Sequence, residues 1–383
     1  MDFELSEERQ MLKDTAERFI REQYPIEKRH AATKSEDGFD RAIWGEFCEL
    51  GLVGALIDAE AGGYGGTGED IALVFEELGR GGVVEPFLPT LLASIPLTAH
   101  KKRGEVQMDD VVEAAMEGRT HLAFAHTEPD AYYAETHVET SAEKIGDDWE
   151  LTGRKAVVVN GGTADLLVVT GRTGGDVSDE AGLGLFLVSA SSPHVEMVSH
   201  QSIDGPHVAE ITLNKANGKP LGTPGSDWPL IEQTLAAGTL AVCAEAVGAM
   251  ETCKDMTLDY LKERKQFGKP IGSNQVLQHR MVDMLLELEQ ARSVVMLAAN
   301  TLEADRLTRE LNISAAKNLI GRAGRLIAEE SIQMHGGVAM TWEYAVPHFA
   351  KRVVMIDHLF GDSDHHLQRF AELSREAEAA ADA

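Results

Sequence analysis

The chain has 383 residues, of which 43% are hydrophobic and 26% are charged, as in a globular protein with two or three domains. Its 63 acidic side chains outnumber 35 Lys and Arg, so the formal net charge is −28. Such a surface repels phosphate backbones and anionic lipid, which excludes nucleic acid and membrane as expected partners. A site for an anionic ligand must therefore be locally basic.

The cysteines and the N-terminal residues indicate the cellular compartment of the protein. Cys48, Cys243 and Cys253 have neither CxxC spacing nor a histidine in metal-ligand register, so we expect buried thiols in a reducing compartment and no metal site. The first ten residues are acidic where a signal peptide is basic and then apolar, and the sequence has no run of about 18 apolar residues. A cytoplasmic location is the expectation.

Helical patterns dominate the first 118 residues. Ser6 can cap a helix whose apolar residues from Met11 to Ile20 repeat at helical spacing. Further amphipathic stretches are predicted at residues 41–52, 68–78 and 88–99, and a glycine cluster at 62–66 separates them as a loop. The sequence predicts an N-terminal helical domain at residues 1–118.

The hydrophobic period changes after His121. Short apolar stretches predict strands at residues 149–151, 156–159, 166–170 and 185–188, with a hairpin turn at 146–148. We expect a compact antiparallel β domain at residues 119–225. Long helical patterns return in residues 226–383, where two helices of about 25 residues or more, joined by a Gly/Pro loop at 268–272, predict a bundle.

Three motifs follow one another along the chain. They are the segment Phe124-Ala125-His126-Thr127-Glu128-Pro129, the segment from Arg264 to Gly272 followed by Gln275, and Gln333-Met334-His335-Gly336-Gly337 with Glu343-Tyr344. In order and spacing they resemble the signatures of the acyl-CoA dehydrogenase family over nearly the whole chain. The resemblance extends to the small subunit of pimeloyl-CoA dehydrogenase and to the steroid-side-chain enzymes built from unlike subunits.

The resemblance implies an α+β fold with an N-terminal helical domain, a middle β-barrel and a C-terminal four-helix bundle. It implies an FAD-dependent desaturation of an acyl-CoA thioester to a trans-2-enoyl-CoA. An electron-transfer flavoprotein is then the expected electron acceptor. A homo- or hetero-oligomer, arranged as a dimer of dimers, is the expected assembly.

The resemblance also assigns cofactor-binding residues, several of which suit that role chemically. Thr127 offers a hydroxyl to a flavin edge, Arg264 a bidentate cation to pyrophosphate, and two glycines allow close approach of a ligand to the backbone. Phe124, His126 and the glycine loop at 62–66 are also expected to border the acyl pocket. The full set is Phe124, His126, Thr127, Arg264, Phe267, Ile271, Gln275, Gln333, Gly336 and Gly337.

The family's catalytic glutamate is missing. Phe360 occupies its position by ungapped alignment, and Gly238 stands where some members carry the base on a helix. Asp362, in the same loop, and Glu245, two helical turns beyond Gly238, are candidate bases. A helix cap for Asp362 and a buried structural hydrogen bond for Glu245 are the favoured alternatives. In a further alternative, an unlike partner chain supplies the glutamate.

Other positions also depart from the family pattern. Ala131-Tyr132-Tyr133-Ala134 replaces a Gly-Ser-Asp that contacts pyrophosphate, and Val157 and Val159 replace aromatic and hydroxyl residues beside the flavin. Thr239 replaces an arginine associated with CoA. A catalytically silent subunit and a flavin-free helical scaffold therefore remain competing hypotheses.

Overall fold

A computed structural model describes residues 5–102, 109–146 and 148–381. By internal contacts the chain forms two compact units. The first comprises Met1–Arg29, Thr67–Val83 and Thr239–Ala383, and the second comprises His30–Gly66 and Val84–Gly238. The predicted turn at 146–148 includes Asp147, which lies outside the described residues.

The predicted order of helices, strands and helices is found. The helices are α1 (Glu7–Gln23), α2 (Ile26–Lys34), α3 (Arg41–Glu49), α4 (Gly68–Gly81), α5 (Phe87–Lys102), α6 (Asp109–Met116), α7 (Trp228–Glu263), α8 (Gln275–Asn300), α9 (Arg306–His335), α10 (Val346–Asp357) and α11 (Ser363–Ala381). The strands are β1 (Leu122–Ala125), β2 (Ser141–Ile145), β3 (Asp148–Val159), β4 (Leu166–Arg172), β5 (Leu183–Ser189), β6 (Val195–Gln201), β7 (His207–Pro220), β8 (Lys265–Gln266) and β9 (Lys269–Pro270). The predicted domain boundaries at 118/119 and 225/226 fall between α6 and β1 and between β7 and α7, and they stay predictions.

Local signals explain where the N-terminal helices begin. The Ser6 hydroxyl accepts a hydrogen bond from the Arg9 amide at 3.3 Å, and Asp40 caps α3 in the same way. Helix α4 starts with a capping box, in which the side chains of Thr67 and Asp70 each accept from the other residue's amide.

Helices α4 and α7 approach closely in the first unit. A Cβ atom added at Gly79 of α4 would overlap the backbone carbonyl of Glu245, and one added at Gly248 of α7 would overlap that of Glu76. The missing side chains let the two backbones touch, so these glycines are required by packing. This contact fixes the position of the α7 segment that carries Glu245.

Helix α7 is the most apolar long helix in the described part of the chain. Its best 18-residue window has a mean hydropathy of 1.3, and by length and composition alone it could cross a membrane. However, 94% of that window is buried within the protein. Burial of this kind is the pattern of a core helix.

The strands of the second unit close into a ring. The hydrogen-bonded order is β4-β2-β3-β7-β5, and β5 returns to β4, while β1 pairs with β4 and β6 with β7. The expectation of a purely antiparallel domain was wrong, because β1 and β2 both run parallel to β4. The two segments predicted at 149–151 and 156–159 form one strand, β3, whose register shifts between Lys155 and Val158.

The cysteines agree in part with expectation. Cys243 and Cys253 are buried, whereas Cys48 is only partly buried. Burial raises the pKa of each of the three thiols to about 12. All three are therefore protonated at neutral pH and have little nucleophilic character.

The contact between α4 and α7 can be tested with alanine substitutions. We expect Gly79→Ala and Gly248→Ala each to lower the free energy of unfolding by about 1 to 3 kcal/mol, because the added methyl forces the backbones apart. Urea denaturation of the purified variants measures this change.

Gly45 is the matched control, because it lies within α3 and a Cβ atom there would meet nothing within 4 Å. Gly45→Ala should leave stability unchanged or raise it by about 0.5 to 1 kcal/mol through its higher helix propensity. If Gly79→Ala behaved like Gly45→Ala, the close approach would be disproved.

Candidate cofactor site and catalytic loop

The first motif continues strand β1 on the barrel. Phe124 and His126 are buried, with ring centroids 5.9 Å apart in a stacked arrangement, while Thr127 is exposed. The Thr127 carbonyl accepts from the Ala156 amide at 2.8 Å, which ties the motif to β3. The hydroxyl of Thr127 is thus presented on a fixed backbone, as the resemblance implies for a flavin contact.

A buried lysine lies directly beneath this motif. The ammonium of Lys155, whose residue has 0% exposure, donates to Glu128 Oε1 at 2.7 Å, Thr170 Oγ1 at 2.9 Å and the His126 carbonyl at 3.2 Å. Glu128 also accepts from the amide and hydroxyl of Thr140. Burial lowers the pKa of Lys155 to about 8, even though the nearby carboxylate favours its charged form. Every donor of the ammonium is used, so the network is rigid.

His126 is neutral in this surrounding. Burial and the neighbouring Lys155 lower the pKa of its imidazole to about 3. Its Nδ1 lies 3.2 Å from Thr170 Oγ1, which already accepts from Lys155. The ring also hydrogen-bonds to the backbone of Glu135, so we assign the hydroxyl proton of Thr170 to the Nδ1 bond and the ring proton to Nε2. His126 is a fixed part of the scaffold and carries no charge near neutral pH.

The second motif forms a small hairpin from β8 and β9. Arg264 is exposed, and within the described part of the chain its guanidinium has no hydrogen-bond or ion-pair partner. Phe267 is 101% exposed and has a φ of +52°, a conformation that is rare for a large side chain. Ile271 is half-buried and Gln275, the first residue of α8, is exposed. The hairpin thus exposes the guanidinium of Arg264 and the aromatic ring of Phe267 to solvent.

The third motif ends helix α9. Gly336 follows the last helical residue with φ +66° and ψ −143°, a conformation suited to glycine. A Cβ atom at Gly336 or Gly337 would meet nothing within 4 Å, and Gln333 is exposed in the last turn. The bare backbone therefore borders open space that a ribose or phosphate can enter. The residues present fit FAD, whose diphosphate also needs a cation such as Arg264.

The loop that carries Phe360 is held by two buried side chains. Lys317 Nζ donates to the carbonyls of Asp357, at 2.8 Å, and Gly361, while His366 Nε2 lies 2.8 Å from the Phe360 carbonyl. Burial lowers the pKa of Lys317 and of His366, the latter to about 3. Phe360 has a φ of +58°. The loop is thus fixed in a strained conformation around a residue that cannot accept a proton.

The two candidate bases both have structural partners. Glu245 is buried, and its two oxygens accept from Arg352 at 2.6 and 2.7 Å. Asp362 accepts from the His365 amide at 2.8 Å and caps α11. These are the favoured alternatives of the sequence analysis, and the assignment of the base stays a prediction.

Sequence reasoning missed the lysines that support these loops. Lys155 and Lys317 are both fully buried. The available signal was a charged residue within an apolar run, since a buried lysine must be fully paired. Among the described residues no group of three or more His, Cys, Asp or Glu could hold a metal ion.

The Glu128–Lys155 pair predicts an acid-sensitive stability. Burial raises the pKa of Glu128, but Lys155 and the donated hydrogen bonds outweigh this and hold it below the ordinary value of 4.5. A carboxyl with a lowered pKa in the folded state stabilises the fold above its unfolded pKa, and this contribution is lost as pH falls through the folded pKa.

Glu128→Gln should therefore destabilise the protein by about 3 to 5 kcal/mol at pH 7, because Lys155 loses its counter-ion. It should also flatten the loss of stability below the ordinary carboxyl pKa of 4.5, as measured by denaturation at a series of pH values. The exposed Glu143 is the control residue. If the stability of Glu128→Gln fell at low pH as steeply as that of the wild type, this role of Glu128 would be refuted.

Comparison with family models covers most of the chain. The N-terminal, middle and C-terminal domain models of acyl-CoA dehydrogenase match residues 6–100, 123–216 and 225–374. Among solved structures, a variant of the steroid acyl-CoA dehydrogenase titled Tcur3481-Tcur3483 has 26% identity and a TM-score of 0.87, covering 97% of this chain and 99% of its own. The FAD complex of PigA has 25% identity and a TM-score of 0.86, with 97% and 98% covered.

A curated relative extends the same result to the sequence. Acyl-CoA dehydrogenase IpdE2 of Mycolicibacterium smegmatis is 30% identical over 370 residues, which are 95% of this chain and 98% of the relative. The fold predicted from the motifs, with helical, β-barrel and helical parts, is confirmed by these matches. The chain therefore belongs to the acyl-CoA dehydrogenase family.

Proposed function

We propose that this chain is an FAD-dependent oxidoreductase that introduces an α,β double bond into an acyl-CoA thioester and yields a trans-2-enoyl-CoA. Family membership and the FAD complex of PigA support FAD as the cofactor. The single observation that carries the proposal is the bare backbone at Gly336 and Gly337, because the side chain missing there leaves room for a nucleotide. When bound, FAD supplies the acceptor for the β-hydride of the substrate.

The residues of this chain have separate tasks in the proposal. Arg264, free of other partners among the described residues, neutralises a diphosphate, and Gln333 and the two glycines contact it or its ribose. Thr127 offers its hydroxyl to the flavin edge on a backbone that Lys155 holds in place. Phe267 covers an apolar or aromatic surface, since a fully exposed ring gains free energy only when it is buried.

Removal of the α-proton requires a base within hydrogen-bonding reach of the substrate. Phe360 cannot accept a proton, Glu245 forms an ion pair with Arg352, and Asp362 is a helix cap. These engagements favour the alternative in which this chain is the base-lacking subunit of a heteromeric enzyme and a partner chain supplies the glutamate. One structurally similar protein, the steroid acyl-CoA dehydrogenase Tcur3481-Tcur3483, supports this alternative, since it carries the names of two chains.

The remaining assignments follow from the same proposal. An electron-transfer flavoprotein is the expected acceptor of the electrons from FAD, and a dimer of dimers, with like or unlike subunits, is the expected assembly. The cytoplasm is the proposed location. Fatty acyl and steroid-derived CoA esters are both candidate substrates.

Gly337→Ala tests the cofactor site. The added methyl meets no protein atom, so the thermal midpoint of the apoprotein should not change. We expect FAD to bind at least about tenfold more weakly, because the methyl occupies space that the ligand needs. Flavin absorbance retained after desalting and titration of the apoprotein with FAD measure this effect.

Gly174→Ala is the control, since its Cβ atom also meets nothing within 4 Å and it lies outside all three motifs. Equal affinity of Gly337→Ala and wild type would contradict this cofactor site. Failure of the wild-type chain to retain flavin would favour the flavin-free scaffold.

Phe360→Glu tests whether the chain alone lacks activity because no base stands at this position. Because Lys317 and His366 still hold the loop, we expect a gain of about 100-fold in ferrocenium reduction by the purified chain. The assay uses straight-chain, branched, dicarboxylic and steroid-derived acyl-CoA esters. Phe360→Gln, which has similar length and no basic group, should stay at background.

Glu245→Gln and Asp362→Asn complete this test. If either residue is the base, its variant should lose the anaerobic bleaching of flavin that the wild type shows with substrate. If wild-type bleaching appears only after a partner chain is added and survives in both variants, the heteromeric alternative is favoured. Full bleaching by the wild-type chain alone would contradict that alternative.

A further inference from the structure

Tyr132 combines backbone strain with exposure. Its φ is +49°, in the left-handed region that a large side chain adopts only at a cost, and 87% of the residue is exposed. Glycine would adopt this conformation freely. The aromatic ring is mostly free of contacts within the fold, so packing does not explain why a tyrosine stands at this position.

The loop around Tyr132 is nonetheless tightly held. The amide of Ala131 donates to the Glu128 carbonyl at 3.1 Å, and that of Ala134 to the Ala131 carbonyl at 2.8 Å. Below the loop, Arg172 donates to the carbonyls of Thr136 and Val138, both at 2.9 Å. These hydrogen bonds restrain the backbone that carries the ring.

The loop extends from the motif that carries Thr127. Thr127, Pro129, Asp130 and Tyr132 are all exposed. The segment from residue 128 to residue 139 contains four carboxylates and no Lys or Arg, and Lys155 and Arg172 from neighbouring strands offset two of these charges, so the segment stays acidic. A phosphate is disfavoured beside such a segment, whereas a neutral planar base is not. An exposed tyrosine ring on a backbone held by hydrogen bonds suits stacking on that kind of group.

We propose that Tyr132 is a specificity-determining residue that stacks on the adenine ring of a nucleotide ligand. This inference rests on the proposed function, because adenine is the planar base that FAD and an acyl-CoA ester share. The strain at Tyr132 is then the cost of placing an aromatic side chain where glycine would fit freely.

Three substitutions separate the ring from the strain. Tyr132→Phe keeps the ring, Tyr132→Ala removes it, and Tyr132→Gly removes both ring and strain. The apoprotein is titrated with FAD and with FMN, which lacks adenine, and the FAD-loaded protein with CoA and with pantetheine. We expect Tyr132→Ala and Tyr132→Gly to bind FAD or CoA about tenfold more weakly, with unchanged affinity for FMN and pantetheine. Tyr132→Phe should bind as the wild type does.

The thermal midpoint provides a second measurement. Tyr132→Gly should raise it by about 2 to 4 °C over Tyr132→Ala, because the left-handed backbone no longer carries a Cβ atom. Lys215→Gly is the matched control: Lys215 is exposed, has a φ of +56° and lies in β7, outside this loop. It should raise the midpoint similarly and leave every affinity unchanged.

The outcomes show which ligand Tyr132 contacts, and they separate a failure of this inference from a failure of the proposed function. Weakened FAD binding identifies the adenine of the cofactor, and weakened CoA binding identifies that of the substrate. Wild-type affinity of Tyr132→Ala for both ligands overturns the inference and leaves the proposed function intact. Loss of oligomer with unchanged affinities also overturns it, since the ring would then contact a subunit. A wild-type chain that binds neither ligand overturns both.

Discussion

The buried ammonium of Lys155 is the interaction on which the segment around Thr127 depends. A charge with no exposure to water is tolerated only when every donor has an acceptor, and here a carboxylate, a hydroxyl and a carbonyl satisfy it. The acceptors come from the segment after β1 and from β4, so a single side chain of β3 joins three parts of the barrel. Thr127 is exposed, but its backbone is held in place because Lys155 binds the buried residues on either side of it, His126 and Glu128.

The same principle recurs wherever an exposed loop must hold its shape. Lys317 binds two carbonyls of the loop that carries Phe360, and Arg172 binds carbonyls in the segment before β2 and in the segment after β4. Because these cations bind backbone carbonyls, their hydrogen bonds do not depend on which side chains the bonded loop residues carry. The support of a loop is thereby separated from the chemistry of its side chains. This separation explains how Phe360 can stand where relatives are expected to carry a base, while the loop keeps its conformation.

The acidic surface gives exposed cations without an internal partner a larger role. With a net charge of −28, the protein repels an anionic nucleotide almost everywhere, and a guanidinium without an internal partner is a local exception. Within the described residues Arg264 is such a group, whereas Arg352 is fully engaged by Glu245. The difference decides which arginine is available to a ligand, although both occur in segments with helical patterns. The pairing of Glu245 with Arg352 agrees with the structural role that the sequence favoured for it, while its role as a base stays a prediction.

The sequence by itself determined the order of helical and β parts, the family and the three motifs, because periodicity, caps and local signatures act over a few residues. It also placed Phe360 at the position of the base and named Asp362 and Glu245 as candidate bases, with a helix cap and a buried hydrogen bond as the favoured alternatives. Only the tertiary structure decided what each side chain meets. Lys155, Lys317 and Arg172 bind groups distant in sequence, β1 and β2 run parallel to β4, and Tyr132 is held in a left-handed conformation. These features depend on long-range pairing and burial, which no local pattern encodes.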